Sequence, residues 1–139
     1  MALTDHGPKP YVVDVEEVTT ANDTFRTAAW TGEHLQMTLM SIPVGGEIGL
    51  ELHEGTDQFL RVEAGRARVQ MGKAKDDLSF DKQVEADWAI FVPTGWWHNV
   101  TNTGDEPLKV YSIYAPSHHP HGTVQQTKAD ADAAEAAEH

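Results

Sequence analysis

Residues 49–59 read GLELHEGTDQF, and this stretch decides the predicted fold. It alternates in the manner of a β-strand, with Glu51 and His53 two residues apart and Leu50 and Leu52 interleaved with them. Successive side chains of a strand point to opposite faces, so Glu51 and His53 share one face and the leucines share the other. A carboxylate beside an imidazole in an otherwise apolar strand indicates a functional site on one face and packing on the other.

The rest of the chain has the pattern of strands and turns that is typical of an all-β domain. Short alternating segments rich in Val, Ile, Leu, Phe and Tyr are separated by turn sequences such as PVGG, EAGR, PTG and NTGDEP. The predicted strands are 35–42, 49–53, 58–64, 66–71, 88–92, 98–102 and 108–114. Residues 71–87 carry many charges and predict an exposed hairpin or loop. Regular short strands of this kind favour a β-sandwich or a small barrel.

Composition limits the class of protein. The chain has 139 residues with 40% hydrophobic content, which suits one domain with its own core. Cysteine is absent, which excludes disulfides, thiolate metal sites and cysteine nucleophiles. Because Asp and Glu number 22 against 10 Lys and Arg, the net charge of −12 disfavours binding to nucleic acid or to an anionic membrane surface.

The sequence also predicts location and domain limits. No apolar run approaches the roughly 20 residues that a membrane span needs, and the first residues lack the pattern of a secretory signal. We therefore expect a soluble, cytoplasmic protein. Residues 1–124 are predicted to form a single domain with an N-terminal strand extension. Residues 125–139 are predicted to be an acidic, Ala-rich tail, a solvated helical end without a function of its own.

A second stretch supplies another histidine and a family resemblance. In residues 91–102, FVPTGWWHNVTN, a Pro-Thr-Gly turn precedes a strand that starts near His98. Residues 46–65 and 87–102 resemble the first and second motifs of the cupins; Pro93, Gly95, His98 and Asn102 fit the second motif without a gap. The resemblance implies an all-β cupin fold, a double-stranded β-helix or jelly-roll barrel built from two antiparallel sheets.

The same resemblance implies a divalent-metal site at Glu51, His53, Gln58 and His98. The first motif is altered: Glu51 stands where the family has a histidine, and Gln58 stands where it has a glutamate. Ligand groups therefore remain at all four positions, and the single carboxylate has moved. Nitrogen and oxygen ligands of this kind suit Zn, Fe, Mn or Ni. The alternative is a cupin that has lost its metal and keeps these residues as buried polar groups.

Three functions share these side chains. The first is a sugar isomerase or epimerase, because the ligand inventory is similar to that of type I phosphomannose isomerases; Arg61, Arg66 and Arg68 are only loosely placed for a phosphate. The second is a non-haem iron dioxygenase, which uses two histidines and one carboxylate. The third is a non-catalytic metal-binding or carbohydrate-binding module. Each predicts a small-molecule ligand, and a strand shielded on both faces predicts a homodimer.

Other candidate residues are secondary. Asp57 is an alternative ligand if it lies in a loop. The segment APSHHPHG contains His118, His119 and His121 and is predicted to be a Pro-rich surface segment. The alternatives are a metal-binding cluster and a lid over the barrel mouth that lends a proton-transfer group. His34 is predicted to lie in a loop. The tryptophans at positions 88, 96 and 97 are predicted to pack in the core or at the rim.

Overall fold

Two antiparallel sheets and two helices make up the computed structural model, which describes residues 4–138. The helices are α1 (Val15–Ala21) and α2 (Lys128–Glu138). The strands are β1 (Arg26–Thr31), β2 (Gln36–Ile42), β3 (Glu51–Leu52), β4 (Asp57–Ala64), β5 (Arg66–Gly72), β6 (Phe80–Glu85), β7 (Ala89–Val92), β8 (Trp97–Asn102), β9 (Leu108–Ala115) and β10 (Val124–Gln125). Within these described residues, no helix is long and apolar enough to cross a membrane.

The sheets have the strand orders β10-β1-β2-β9-β4-β7 and β3-β8-β5-β6. This is the predicted all-β arrangement of two antiparallel sheets, a cupin-type jelly roll. Strands of both sheets contribute to one apolar cluster, which includes Met40, Leu60, Val69, Val100 and Val110, each at most 2% exposed. Apolar burial on this scale is the main stabilising contribution to folding.

Seven of the strands lie where the alternation predicts them, with ends that differ by up to two residues. Of the predicted strand 49–53, only Glu51 and Leu52 pair with a neighbouring strand, so the observed strand is two residues long. Three strands were missed: β1, β10 and the charged β6, which pairs with β5 inside the segment predicted as a loop or hairpin.

The N-terminal extension is partly helical rather than a strand. Its helix, α1, begins after Asp14, whose Oδ1 accepts a hydrogen bond from the backbone N–H of Glu17 at 3.1 Å. Glu16 and Glu17 in the first turn suit the positive end of the helix dipole. The helix contacts β2, β4 and β9 and buries Thr19 completely. Asp14 and this acidic turn were the sequence signal for the helix.

Asn102, the last residue of the second motif, holds the end of β8 in place. Its Nδ2 donates to the carbonyl oxygens of Ile42 at 3.0 Å and Glu106 at 2.9 Å. Its Oδ1 accepts from the N–H of Gly104 at 2.9 Å. The side chain is 3% exposed, so water cannot easily replace these partners. This motif residue therefore has a structural role.

Replacing Asn102 with alanine is predicted to lower the free energy of unfolding by about 2–4 kcal/mol, because buried backbone groups lose their partners. Chemical denaturation followed by tryptophan fluorescence measures this change. The half-buried neighbour Thr101 is the control, since Thr101→Ala should change stability by less than about 1 kcal/mol. Equal losses in the two variants would contradict the structural role of Asn102.

Candidate metal centre

The register between β3 and β8 brings the two sequence motifs together. Glu51 pairs with His98, and Leu52 pairs with Trp97. One ligand atom from each of Glu51, His53 and His98 lies within 4.8 Å of the other two. His53 is 7% exposed and His98 is 3% exposed. Three of the four predicted ligands therefore form a compact group that could hold a metal ion.

The Pro-Thr-Gly turn fixes the backbone of His53. The N–H of Gly95, which has a φ of +80°, donates to the carbonyl oxygen of His53 at 2.8 Å. The hydroxyl of Thr94 donates to the same oxygen at 3.3 Å. Asp57 accepts from the N–H of Thr94 at 2.9 Å, so it anchors the turn rather than serving as the alternative ligand.

Glu51 is the ionised group of the site. Burial would raise the pKa of this carboxyl, but the adjacent His53 and the cation of Arg26 lower it to about 2. Oε2 of Glu51 lies 3.1 Å from Nε2 of His53, and Oε1 lies 4.0 Å from the guanidinium of Arg26. Glu51 therefore carries its negative charge at neutral pH, as a metal ligand must.

His98 is held in the tautomer that suits a ligand. Its Nδ1 lies 3.1 Å from the carbonyl oxygen of Trp96. A carbonyl can only accept, so Nδ1 carries the proton and Nε2 keeps its lone pair. Burial lowers the pKa of His98 despite this hydrogen bond, which favours the neutral ring. A backbone partner of this kind is typical of metal-binding histidines.

Two buried polar atoms test whether the site fits a metal. Nε2 of His53 and Oε1 of Gln58 have no hydrogen-bond partner among the described residues; Nε2 of His53 lies at ion-pair distance, 3.1 Å, from Oε2 of Glu51. Gln58 is 6% exposed, and its Nε2 donates to the hydroxyl of Ser112 at 3.4 Å. Unpartnered buried polar atoms are costly, and a cation would satisfy both kinds of lone pair. The residues fit a divalent ion.

The histidine segment after β9 reaches this site. The His118 ring centroid lies 4.2 Å from that of His53, and the His119 ring lies 4.9 Å from that of His118. Both residues line the same cavity as Glu51 and His53. The segment lies at the surface, as predicted, with His118 exposed, and it also reaches the cavity, as the alternative of a cover over the barrel mouth requires. The more distant His121 lies 3.4 Å from Asp5.

Gln36 holds this segment in place. Its Oε1 accepts from the N–H groups of His118 at 3.1 Å and His119 at 2.8 Å. Its Nε2 donates to the carbonyl oxygen of His119 at 2.7 Å and to the hydroxyl of Thr31 at 2.9 Å. The side chain is fully buried, so one amide sets the position of two histidines.

A cavity of about 490 Å³ opens beside the triad. Leu52 lines it together with Glu51 and His53. The outer wall is formed by β10, the chain on either side of it and α2, through Thr123, Val124, Gln125, Gln126, Asp130, Ala131, Ala134 and Glu135. Ala131 is 8% exposed and belongs to the core cluster. The predicted tail is thus a packed wall of the cavity.

Sequence reasoning missed Arg26. It lies on β1, lines the cavity and is 3% exposed. The one local signal was an arginine at the start of the run RTAAWT, which does not alternate. Of the other candidates, His34 is an exposed loop residue, as predicted. Trp96 packs against the core, whereas Trp88 is 51% exposed.

The half-buried His119 and the buried His98 predict that the metal-free protein loses stability on acidification. Burial, with the nearby Arg26 cation, lowers the pKa of His119 from 6.5 to about 3. Below pH 6.5 the His119 side chain is therefore protonated in the unfolded chain but stays neutral in the folded chain. The free energy of unfolding then falls by up to about 1.4 kcal/mol per pH unit. His98 acts in the same direction.

Urea unfolding in the presence of a chelator, between pH 6.5 and 4.5, checks this dependence. A His119→Asn variant should lose less stability over this window than the parent protein. His34→Asn, in an exposed loop, should match the parent protein. Parallel curves for the parent and His119→Asn would show that His119 does not contribute.

The chain is similar to several known proteins. The Bacillus subtilis protein YrkC is 61% identical over 135 residues, covering 97% of this chain and 73% of YrkC. The crystal structure of BH2720 from Bacillus halodurans superposes with a TM-score of 0.94 at 62% identity, covering 94% of this chain and 99% of that one. Bacillus subtilis oxalate decarboxylase, described with Mn(II) centres, superposes with a TM-score of 0.58 at 26% identity, covering 64% of this chain and 23% of that one.

A family model also matches the segment that carries both motifs. The model of the cupin domain matches residues 38–114, from β2 to the end of β9, and so includes Glu51, His53, Gln58 and His98. The jelly roll, the paired motifs and the relatives lead to one conclusion: this chain belongs to the cupin family.

Proposed function

We propose that this cupin is a metal-dependent enzyme that transfers a proton within a small, sugar-like substrate, as an isomerase or epimerase does. The observation that carries the proposal is the triad of Glu51, His53 and His98 beside a cavity in which the His118 ring packs against His53. Gln58 is proposed as a fourth, weaker ligand through its unpartnered Oε1. The ion would be Zn, Fe, Mn or Ni, which nitrogen and oxygen ligands suit.

The bound ion would supply Lewis acidity toward a substrate carbonyl oxygen. The chain would supply the proton transfer. In an isomerisation, a ring nitrogen of His118 would accept a proton from the hydroxyl-bearing carbon next to the carbonyl and return it to the former carbonyl carbon, while the proton of that hydroxyl passes to the former carbonyl oxygen. An epimerisation would need a second proton donor on the opposite face of the same carbon. Gln36 fixes the backbone of His118, so this base is held by a buried amide instead of a mobile loop.

The cavity lining supports a hydroxylated substrate. Thr123, Gln125 and Gln126 place hydroxyl and amide groups on its wall, which can exchange hydrogen bonds with sugar hydroxyls. A phosphate finds less support. Arg61 pairs with Glu63, and Arg68 pairs with Asp81, and neither arginine lines this cavity. Arg26 is the one Lys or Arg among the described residues that line the cavity. A single guanidinium suits one negative charge better than a phosphate dianion, so an unphosphorylated substrate is proposed, in contrast to the phosphomannose isomerases.

A second candidate follows from the composition of the triad. Two histidines and one carboxylate form the ligand set that activates dioxygen on Fe(II). The same site would then oxidise a small organic substrate. Consumption of dioxygen by the Fe(II)-loaded protein distinguishes this candidate, because proton transfer consumes none.

The homodimer also stays a prediction. The side chains of Phe80, Trp88 and Phe91 are 46%, 51% and 70% exposed, on or beside the edge strands β6 and β7. A second copy of the chain would bury apolar area at these edges. Sedimentation velocity of the protein and of a Phe91→Ser variant would measure it, and a monomeric parent protein would rule the dimer out.

The isomerase proposal predicts that the metal-loaded protein exchanges a carbon-bound hydrogen of its substrate with deuterated solvent, which NMR detects across a panel of unphosphorylated aldoses and ketoses. His118→Asn should slow exchange by about 10²–10⁴-fold, the usual contribution of a general base, while metal affinity stays at the parent value. Gln36→Leu should slow exchange as well, because the His118 backbone loses its anchor.

The control is His34→Asn, which should exchange at the parent rate because His34 is an exposed loop residue. Loss of metal affinity in His118→Asn would make His118 a ligand and contradict its role as the base. A metal-loaded protein that neither exchanges hydrogen nor consumes dioxygen with any substrate would be a binding module instead.

A further inference from the structure

Arg26 is a buried cation beside the triad. It is 3% exposed and lines the cavity. One terminal nitrogen donates to Oε1 of Gln125 at 2.8 Å, and the other lies 4.0 Å from Oε1 of Glu51. Its Nε has no hydrogen-bond partner among the described residues. Glu51 is therefore the anion that Arg26 faces at ion-pair distance, and the contact is long.

This pairing conflicts with metal binding. A carboxylate that ligates a divalent ion directs most of its charge to that ion. Arg26 and the ion would then both lie beside Glu51. The guanidinium carries one positive charge and the divalent ion two, whereas Glu51 carries one negative charge. A buried guanidinium without a counter-charge is costly, as is a second cation close to it. An anion that enters the cavity would relieve both.

The exposed acids on α2 do not meet this need. Asp130 and Glu135 line the outer wall of the cavity, but both are exposed and their fields are screened by solvent. His119 also lines the cavity, with its Nε2 buried and lacking a hydrogen-bond partner among the described residues. The lining thus combines a buried cation, Arg26, with a second group able to bind an oxygen.

We propose that Arg26 binds a carboxylate group of the substrate, so that the substrate is a small hydroxy acid, such as a sugar acid, and that this carboxylate and the metal bind cooperatively. The proposal rests on the metal-dependent function proposed above and narrows its substrate class. A guanidinium binds a carboxylate through two parallel hydrogen bonds, a geometry that an amide or a hydroxyl cannot match.

The experiment measures the apparent dissociation constant of Zn²⁺, by competition with a chromophoric chelator, with and without millimolar lactate. Lactate is a hydroxy acid, and lactamide is its uncharged match. In the parent protein lactate should tighten Zn²⁺ binding by about tenfold, within the usual range of coupling between two sites, whereas lactamide should have no effect. Chelation of Zn²⁺ by lactate in solution would instead weaken the apparent binding of Zn²⁺ to the protein, so it cannot produce the expected tightening.

Two variants isolate the role of Arg26. Arg26→Gln should bind Zn²⁺ more tightly than the parent protein without lactate, because one positive charge is gone, and should lose the lactate effect. Arg26→Lys keeps the charge without the paired donors and should keep only part of the effect. Circular dichroism of each variant confirms that it is folded.

The outcomes separate the two proposals. Zn²⁺ binding that is insensitive to lactate, or a lactate effect that persists in Arg26→Gln, would overturn the carboxylate site and leave the metal-dependent function standing. Weaker Zn²⁺ binding in a folded Arg26→Gln would show that Arg26 only supports Glu51, which also overturns the proposal. Failure of the parent protein to bind Zn²⁺, Mn²⁺, Ni²⁺ or Fe²⁺ would overturn the proposed function, and this inference with it.

Discussion

The antiparallel register of β3 against β8 places Glu51 opposite His98, and the rest of the site is arranged around this pair. Because side chains alternate along a strand, a slip of one residue would set Leu52 opposite His98 and turn Glu51 away. Two paired residues cannot hold such a register alone. It is fixed from both sides, by the Pro-Thr-Gly turn on the carbonyl of His53 and by the side chain of Asn99, whose Oδ1 accepts from the N–H of Gly49 at 2.9 Å.

Neighbouring elements supply hydrogen-bond and ion-pair partners to the buried charged groups of the site, and these contacts offset the cost of burying the charges. Glu51 faces both an imidazole and a guanidinium. Asp5 ties the N-terminal segment to the histidine segment by accepting from the N–H groups of Thr31 and Gly122, each at 2.9 Å. Gln36 completes this support from β2. The cupin barrel therefore positions the triad, and segments outside the matched family region close the cavity over it.

The sequence predicted the parts of the molecule that follow local rules. Alternating strands indicated a sandwich or a small barrel, and the resemblance of the two motifs to the cupins implied the jelly roll and the cluster of Glu51, His53 and His98. The helix α1 was missed although Asp14 and the acidic first turn signal it. Strand β6 was missed because five of its six residues are exposed and polar side chains occupy both of its faces, which leaves little alternation of hydrophobicity.

Contacts between distant parts of the chain could not be predicted from such rules. Arg26 meets Gln125 across 99 positions, and Gln36 meets His119 across 83 positions. Neither contact has a local pattern, since each depends on where β1 and β2 lie relative to the chain that follows β9. The acidic tail misled for the same reason: its composition suits a solvated helix, whereas the fold packs Ala131 into the core.

The most direct test of this account is the stoichiometry of metal binding, measured by isothermal titration of the metal-free protein with Zn²⁺, Mn²⁺, Ni²⁺ and Fe²⁺. The account predicts about one ion per chain for at least one metal. Glu51→Ala, His53→Ala and His98→Ala should each lower the affinity by at least about tenfold, whereas His34→Ala should bind as the parent protein does. A parent protein that binds none of these ions, or triad variants that bind as tightly as the parent, would contradict it.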